Sequence, residues 1–447
     1  MSDLHLPEAF TQRIQAQFGT DALAFFAALE GPAPVSIRLN PAKMAEWPGT
    51  TPIPWSETGR YLPERPAFIL DPRWHAGAYY VQEASSMFLE QAWKRICEEE
   101  QPTRVLDLCG APGGKSTHLL SLMDPEAVLV ANEVIQQRAG VLAENITRWG
   151  KAQALVTRND PRDFDRLPGF FDVIVADAPC SGEGLFRRDA EAASQWSESH
   201  LQLCAERQRR ILADVWPTLK TGGFLVYSTC TFNPGENEEN LDWLAQTLGA
   251  STVPLTIPAE WGVGEVTHNG VTGYRFLPHR AMGEGFFMAL VQKTSEVSGK
   301  VKGGRVSAPH HKILGRLNEW VLDPDGHWWQ HGERNLRLSG GDAGIWADLI
   351  LNLRVVQAGV PFAEEKGKDL LPLPEAAFCT DLNHSAFNCF DLSPADALTY
   401  LRRDAQTLDG PSGWGLMRAE GLGLGFVKHL GNRTNNYYPQ NWRIRKA

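Results

Sequence analysis

The chain has no apolar run of the roughly 18 residues needed to cross a bilayer, which excludes a membrane-spanning helix. Its first residues, MSDLHLPEAF, lack the basic-then-apolar order of an export signal, so the expectation is a cytoplasmic protein with no membrane partner. Cysteine is scarce: seven in 447 residues, odd in number and irregularly spaced, make no disulfide framework. No CxxC pair is present, and His310 and His311 fall in a solvated, linker-like tract, so no metal is expected. Positive charge is not in excess either. With Lys+Arg 43 against Asp+Glu 53, the formal net charge is −10, which excludes a protein that coats nucleic acid by general phosphate neutralisation. Any contact with nucleic acid has to be local. Internal repeats and long low-complexity tracts are also missing.

What is present is globular, at 43% hydrophobic and 21% charged residues, and longer than one hydrophobic core supports. Residues 7–30 carry one amphipathic helix pattern, followed by the strand-like VSIRLNP and by YYVQEASSMFLEQAWKRI. These make a small N-terminal domain, 1–102. From Thr103, apolar runs alternate with helical patterns: RVLDLC, AVLVANE, QALVTRND, FDVIVADAPC, GFLVYSTC and GFFMALVQ. Such alternation predicts an α/β domain over 103–294, a doubly wound parallel sheet with helices on both faces. Residues 295–312, rich in Gly, Ser and Lys, read as a linker. The remainder, 313–447, reads as a composite α+β region with a further break at AEEKGKDLLPLPE. Its end, about 376–447, has the β-prone, basic and aromatic make-up of a small RNA-contacting module.

The chemistry gathers at strand ends. Cys180 ends FDVIVADAPC and Cys230 ends GFLVYSTC, and strand C-termini in an open parallel sheet face the ligand crevice rather than the core. Two thiols so placed point to covalent chemistry on an electron-poor ring. Cys97, Cys204, Cys379 and Cys389 are expected to be inert core residues, and Cys109 to matter through its backbone. In RVLDLCGAPGGKSTHLL a strand runs into a turn made of Cys109, Gly110, Ala111, Pro112, Gly113, Gly114 and Lys115, and then into a helix. The glycines let backbone approach a ligand, and the helix N-terminus offers free N–H groups. A P-loop is excluded, because it needs a glycine where Cys109 stands. Three acids agree with a nucleoside cofactor at this turn. Glu133 closes the second strand about 20 residues on, where a carboxylate meets ribose hydroxyls. Asp160 ends the third strand and Asp177 the fourth, so four strand ends converge on one crevice. Each acid alone would read as a helix cap or turn residue; together they favour a cofactor site.

The stretches SIRLNP, YVQEASSM, CGAPGGKST, DAPCSGEGLFRRD and YSTCTFNPGENEENL resemble the Sun/Fmu-type RNA cytosine-C5 methyltransferases, over roughly Val35 to Lys293. DAPCSGEGLFRRD, YRFLPHRAMGEGFF and GNRTNNYYPQNWRIR are most similar to the bacterial branch that modifies small-subunit ribosomal RNA, the methyltransferase F type. The resemblance implies a Rossmann-like domain using S-adenosylmethionine, a PUA-like C-terminal module, RNA as partner with 16S ribosomal RNA favoured, and a monomer. It implies that Cys230 is the nucleophile adding to C6 of cytosine, which makes C5 able to take a methyl group, and that Cys180 assists product release. Asp177 would hold the base beside the cofactor. Lys115 would lower the thiolate pKa or contact the base. Transfer RNA as target, and a ribosome-assembly factor that binds without methylating, stay open as alternatives; the presence of two crevice thiols speaks against the second.

Basic residues cluster locally: Arg187 and Arg188; Arg207, Arg209 and Arg210 on one predicted helix; Lys300, Lys302, Arg305, Lys312 and Arg316 in and after the linker. The tail adds Lys428, Arg433, Arg443, Arg445 and Lys446, with no acid after Glu420. Tyr437, Tyr438 and Trp442 interleave with them, which suits stacking on unpaired bases; for Tyr437 and Tyr438 a place in a small core fits equally. The target cytosine has to be unpaired or flipped, since C6 is closed to a thiolate inside a stacked helix.

Overall fold

The structure, a computed structural model, describes residues 5–431 and 433–445. Five parallel strands form its centre: β1 (Arg104–Asp107), β2 (Val128–Asn132), β3 (Ala154–Thr157), β4 (Phe171–Asp177) and β5 (Leu219–Thr229). They lie in the order β3-β2-β1-β4-β5, so the winding reverses between β1 and β4 and opens a crevice at their C-terminal ends. Both faces are covered. Leu129, Ala131, Val173 and Val175 pack with Trp93, Leu119 and Leu142 of one helical layer, whereas Val128, Val130, Ile174 and Ala176 pack with Leu212, Leu244 and Trp346 of the other. Burial on two faces is why these strands read as unbroken apolar runs.

The sheet is mixed, not wholly parallel. The run GFFMALVQ forms β6 (Phe286–Lys293), which pairs antiparallel with β5. The hairpin Gly264–His268 to Val271–Phe276 turns at Asn269 and Gly270, with φ of 47° and 84°, and residues 277–285 then loop straight back into β6. A parallel return needs a crossover of a dozen or more residues, and an apolar run reports burial rather than direction. At the opposite edge β7 (Val355–Ala358), from beyond the expected catalytic domain, pairs antiparallel with β3.

Other expectations need correction. The helix expected over 7–30 breaks at Gly19, φ 55°, into Glu8–Phe18 and Ala22–Glu30. The break expected at AEEKGKDLLPLPE is a hairpin, Val360–Lys366 to Asp369–Pro372, whose charged residues form its exposed tip around Gly367. His311 opens the helix His311–Asn318, capped by the His310 ring, instead of belonging to the linker. Cys97 is exposed and Cys389 half-buried; only Cys204 and Cys379 of that expected core set are buried.

A four-stranded sheet, Val35–Leu39, Thr51–Pro52, Gly59–Leu62 and Tyr79–Val81, precedes the centre, and another, Asn388–Asp391, Gly413–Ala419, Leu422–His429 and Thr434–Asn436, follows it. Tyr438 is a core residue, fully buried 5.6 Å from the Tyr400 ring, while Tyr437 faces outward against Trp414 at 4.7 Å. Lys446 lies outside the described residues. Among the described residues, no helix is long and apolar enough to cross a membrane.

Candidate active site

Gly113, at φ 119°, bends the chain after β1 into the helix Gly114–Leu122. The turn folds so closely on that helix that a Cβ on Gly110 would stand 2.9 Å from Ser116 Oγ. Ser116 Oγ donates to Asp107 Oδ2 at 2.6 Å, whereas Oδ1 of this fully buried carboxyl has no partner. Burial pushes Asp107 up to about 7, against the pull of Ser116 and Lys115. Gly110 N–H donates to Asn132 O at 2.8 Å, which ties the turn to the end of β2. Over it lies a cavity of about 220 Å³, lined by Cys109 to Pro112, Gly114, Lys115 and Asp177, and closed by Tyr80 to Glu83 and Ser86 of the N-terminal part. An unpartnered buried acceptor, a glycine cradle and this cavity fit a nucleoside cofactor.

Glu133 and Asp160 lie at the neighbouring strand ends but not on this lining. Glu133 Oε1 accepts from Ile135 N–H at 2.9 Å, and Oε2 pairs with Arg138 at 3.3 Å. Asp160 stands past the end of β3, where it caps the short helix Pro161–Arg166 and accepts from Arg162 N–H at 3.2 Å.

The loops after β4 and β5, adjacent strands, bring the two thiols together: Cys180 Sγ and Cys230 Sγ are 3.0 Å apart and unoxidised. Cys230 N–H also points at Cys180 Sγ, at 3.3 Å. The hydrogen bond shared with Cys230, and then burial, hold the Cys180 thiol well above its ordinary value, so it stays protonated at neutral pH. Beside them Lys115 Nζ meets Asp177 Oδ2 at 2.8 Å, and Ser228 Oγ donates to Asp177 Oδ1 at 2.8 Å. Burial works against the Lys115 charge, but the acidic groups around it, Asp177 first and then Asp107, together hold the ammonium above its ordinary value. Behind Cys180, buried Glu236 accepts from Ser181 N–H at 2.9 Å, from Ser181 Oγ at 2.6 Å and from Gln208 Nε2 at 2.9 Å. Burial raises the Glu236 carboxyl, although the Ser181 bonds oppose it. Gly184 N–H donates to Cys230 O at 2.8 Å, locking one loop to the other.

Of the residues expected in the turn, Cys109 to Pro112, Gly114 and Lys115 therefore meet Asp177 at one cavity, while Gly113 makes the bend without lining it, and Cys180 and Cys230 pair on the adjoining loops. Asp107, Glu236 and the Tyr80–Glu83 wall were missed, although YVQEASSM and PGENEEN stood among the matched stretches; Asp107 was hidden inside a run that reads as strand. The basic cluster expected for RNA is partly spent. Arg187, 7% exposed, and Arg188 both bind Glu284, at 3.0 and 2.8 Å, and Arg209 donates to Asn240 Oδ1 at 2.8 Å.

A family model described as 16S rRNA methyltransferase RsmB/F matches residues 95–292. Models for the N-terminal domain of 16S rRNA methyltransferase RsmF and for the methyltransferase RsmF PUA domain match 6–84 and 387–444. A Shigella boydii protein named ribosomal RNA small subunit methyltransferase F is 32% identical, over 98% of this chain and 96% of its own. The chain belongs to the RsmF family of ribosomal RNA methyltransferases. Enzymes of the RsmF family use S-adenosylmethionine as methyl donor. Its Rossmann-like domain is shared with the solved structure of a methyltransferase homolog from Pyrococcus horikoshii, 28% identical at a TM-score of 0.55, covering 65% of this chain and 96% of that one. The fold alone is shared with NSun6 from the same organism, solved with SFG, 19% identical at a TM-score of 0.54, covering 65% and 99%.

Proposed function

We propose that the chain methylates C5 of a cytosine in 16S ribosomal RNA through a covalent bond between Cys230 and C6 of the base. The observation that carries this reading is the thiol pair at 3.0 Å beside the Lys115–Asp177 ion pair. The Cys230 thiolate adds to C6, and the ring electrons move onto the pyrimidine, where the Lys115 ammonium stabilises the developing charge. Asp177, pinned by Lys115 and Ser228, holds the amidine edge of the base. S-adenosylmethionine bound over the glycine turn supplies an electrophilic methyl group; Cys109 to Lys115 and Asp177 would line its site, with Glu133 and Asp160 for the nucleoside. Once C5 is methylated, its proton passes to solvent water, the C–H electron pair re-forms the C5–C6 double bond, the C6–S bond breaks, and that bond's pair returns to the Cys230 sulfur. Cys180, kept as a neutral thiol, is placed to assist that release.

The N-terminal domain ends near residue 102 and the catalytic sequence pattern near 294, with a linker from 295 to the helix that His311 opens and the terminal module over 376–447. Tyr437, Trp414 and the tail arginines give the outer surface for RNA, and the protein acts as a monomer in the cytoplasm. The test is methyl transfer from labelled S-adenosylmethionine to unmodified small-subunit particles by wild type, Cys230→Ala and Cys180→Ala, with adducts resolved on denaturing gels. Both variants should lose activity, and only Cys180→Ala should trap a protein–RNA adduct. An adduct with Cys230→Ala reverses the roles, and wild-type transfer to transfer RNA alone moves the target.

A further inference from the structure

The loop ahead of β6 is where three parts of the site meet. Glu284, 2% exposed, receives Arg187 Nε on one carboxylate oxygen at 3.0 Å and Arg188 Nε on the other at 2.8 Å, and these arginines end the segment that carries Cys180. Arg187 Nη2 adds a bond to Gly283 O at 2.6 Å. The Glu284 N–H donates to Glu83 Oε1 at 2.9 Å and Ser85 Oγ donates to Glu284 O at 3.1 Å, which ties the loop to the segment walling the cavity. Further along, Phe286 lies beneath Lys115 Nζ at 5.1 Å.

Nothing here has slack. A Cβ on Gly283 would stand 3.1 Å from Glu83 Oε1, and one on Gly285 would stand 2.3 Å from the Phe232 ring, two residues past Cys230. The same arginines reach back to the N-terminal part, Arg187 Nη1 to Ala28 O at 3.3 Å and Arg188 Nη2 to Pro34 O at 3.5 Å. Packing alone does not call for two guanidinium groups on one buried acid, because apolar side chains fill such space without the desolvation cost. What the ions add is direction: forked, charge-assisted bonds that fix where each backbone stands.

We infer that Glu284 is a positioning residue for methyl transfer, holding the Cys180 loop in register with the Tyr80–Ser86 wall and, through Phe286, with Lys115. This rests on the two-thiol reading above. Full-length wild type, Glu284→Gln and Arg188→Lys carry the test; the glutamine keeps shape and loses charge, and the lysine, at a side chain 39% exposed, is the milder change. Two quantities are read: kinetics on unmodified small-subunit particles, and, without RNA, the iodoacetamide alkylation rates of Cys180 and Cys230 resolved by mass spectrometry. In Glu284→Gln, kcat should fall about tenfold or more, as displacement by an ångström costs up to about a hundredfold. KM for RNA and Kd for S-adenosylmethionine should stay within about twofold, and the alkylation ratio should change in both variants, more in Glu284→Gln. The inference is overturned if kcat stays within about twofold of wild type, if only KM rises, or if kcat falls with the alkylation ratio unchanged. Because alkylation needs no turnover, it judges Glu284 even if wild type transfers no methyl group. Full activity in Cys230→Ala would sink the two-thiol reading instead.

Discussion

Asp107 holds its carboxyl at about 7 in the folded chain, against about 3.9 in an unfolded one. The folded state therefore binds this proton more tightly, and the stability so gained is complete below about pH 3.9 and lost as the pH rises through about 7. The shift corresponds to about 4 kcal/mol. Asp107→Asn carries no such dependence, so its Tm relative to wild type should climb between about pH 4 and pH 7 in thermal melts. A constant difference across that range would show that the carboxyl is already ionised in the fold. The same residue shows why a sequence conceals such groups. Asp107 sits among Val105, Leu106 and Leu108, and only the fold shows that its neighbours leave Oδ1 without a donor.

At the scale of elements, the reactive loops, which carry the short helical turns Glu183–Leu185 and Pro234–Glu236, are held to one another by close backbone approach. A Cβ on Gly184 would lie 2.2 Å from Gly285 O and 2.9 Å from Cys230 O. Gly184→Ala should force the two cysteine loops apart, costing about 1–3 kcal/mol of stability and most of the methyl transfer, read by melts and by labelled transfer. Retained activity would mean that the loops yield without disturbing the thiols. The strands behind these loops were legible because burial on both faces leaves continuous apolar runs. The direction of β6 was not, although the Asn269–Gly270 pair was a hairpin signal in plain view. The AEEKGK tract misled for a related reason: a charged hairpin tip and a linker have the same composition.

Taken whole, the molecule does not end its central sheet where the catalytic sequence pattern ends. β7 closes the β3 edge, and Trp346, Leu349 and Leu353, all within 7% exposure, complete one apolar layer. A chain cut after residue 294 loses all three, at about 1.5–3 kcal/mol each, which is of the order of an entire domain's stability. That fragment should melt far below the full chain or aggregate on size-exclusion chromatography. An unchanged Tm would show that the sheet is stable without its last strand.

The order of chemistry along this chain was determined by sequence alone: a glycine turn after one strand, thiols after two others, acids at strand ends, all expressed in local patterns of period and turn residue. Tertiary structure alone decided what those groups do to one another. Cys180 and Cys230 come within 3.0 Å only because β4 and β5 are neighbours, and Tyr438 is core rather than surface only because Tyr400 packs on it. Strand adjacency and burial depend on contacts between distant residues, and no local pattern encodes those.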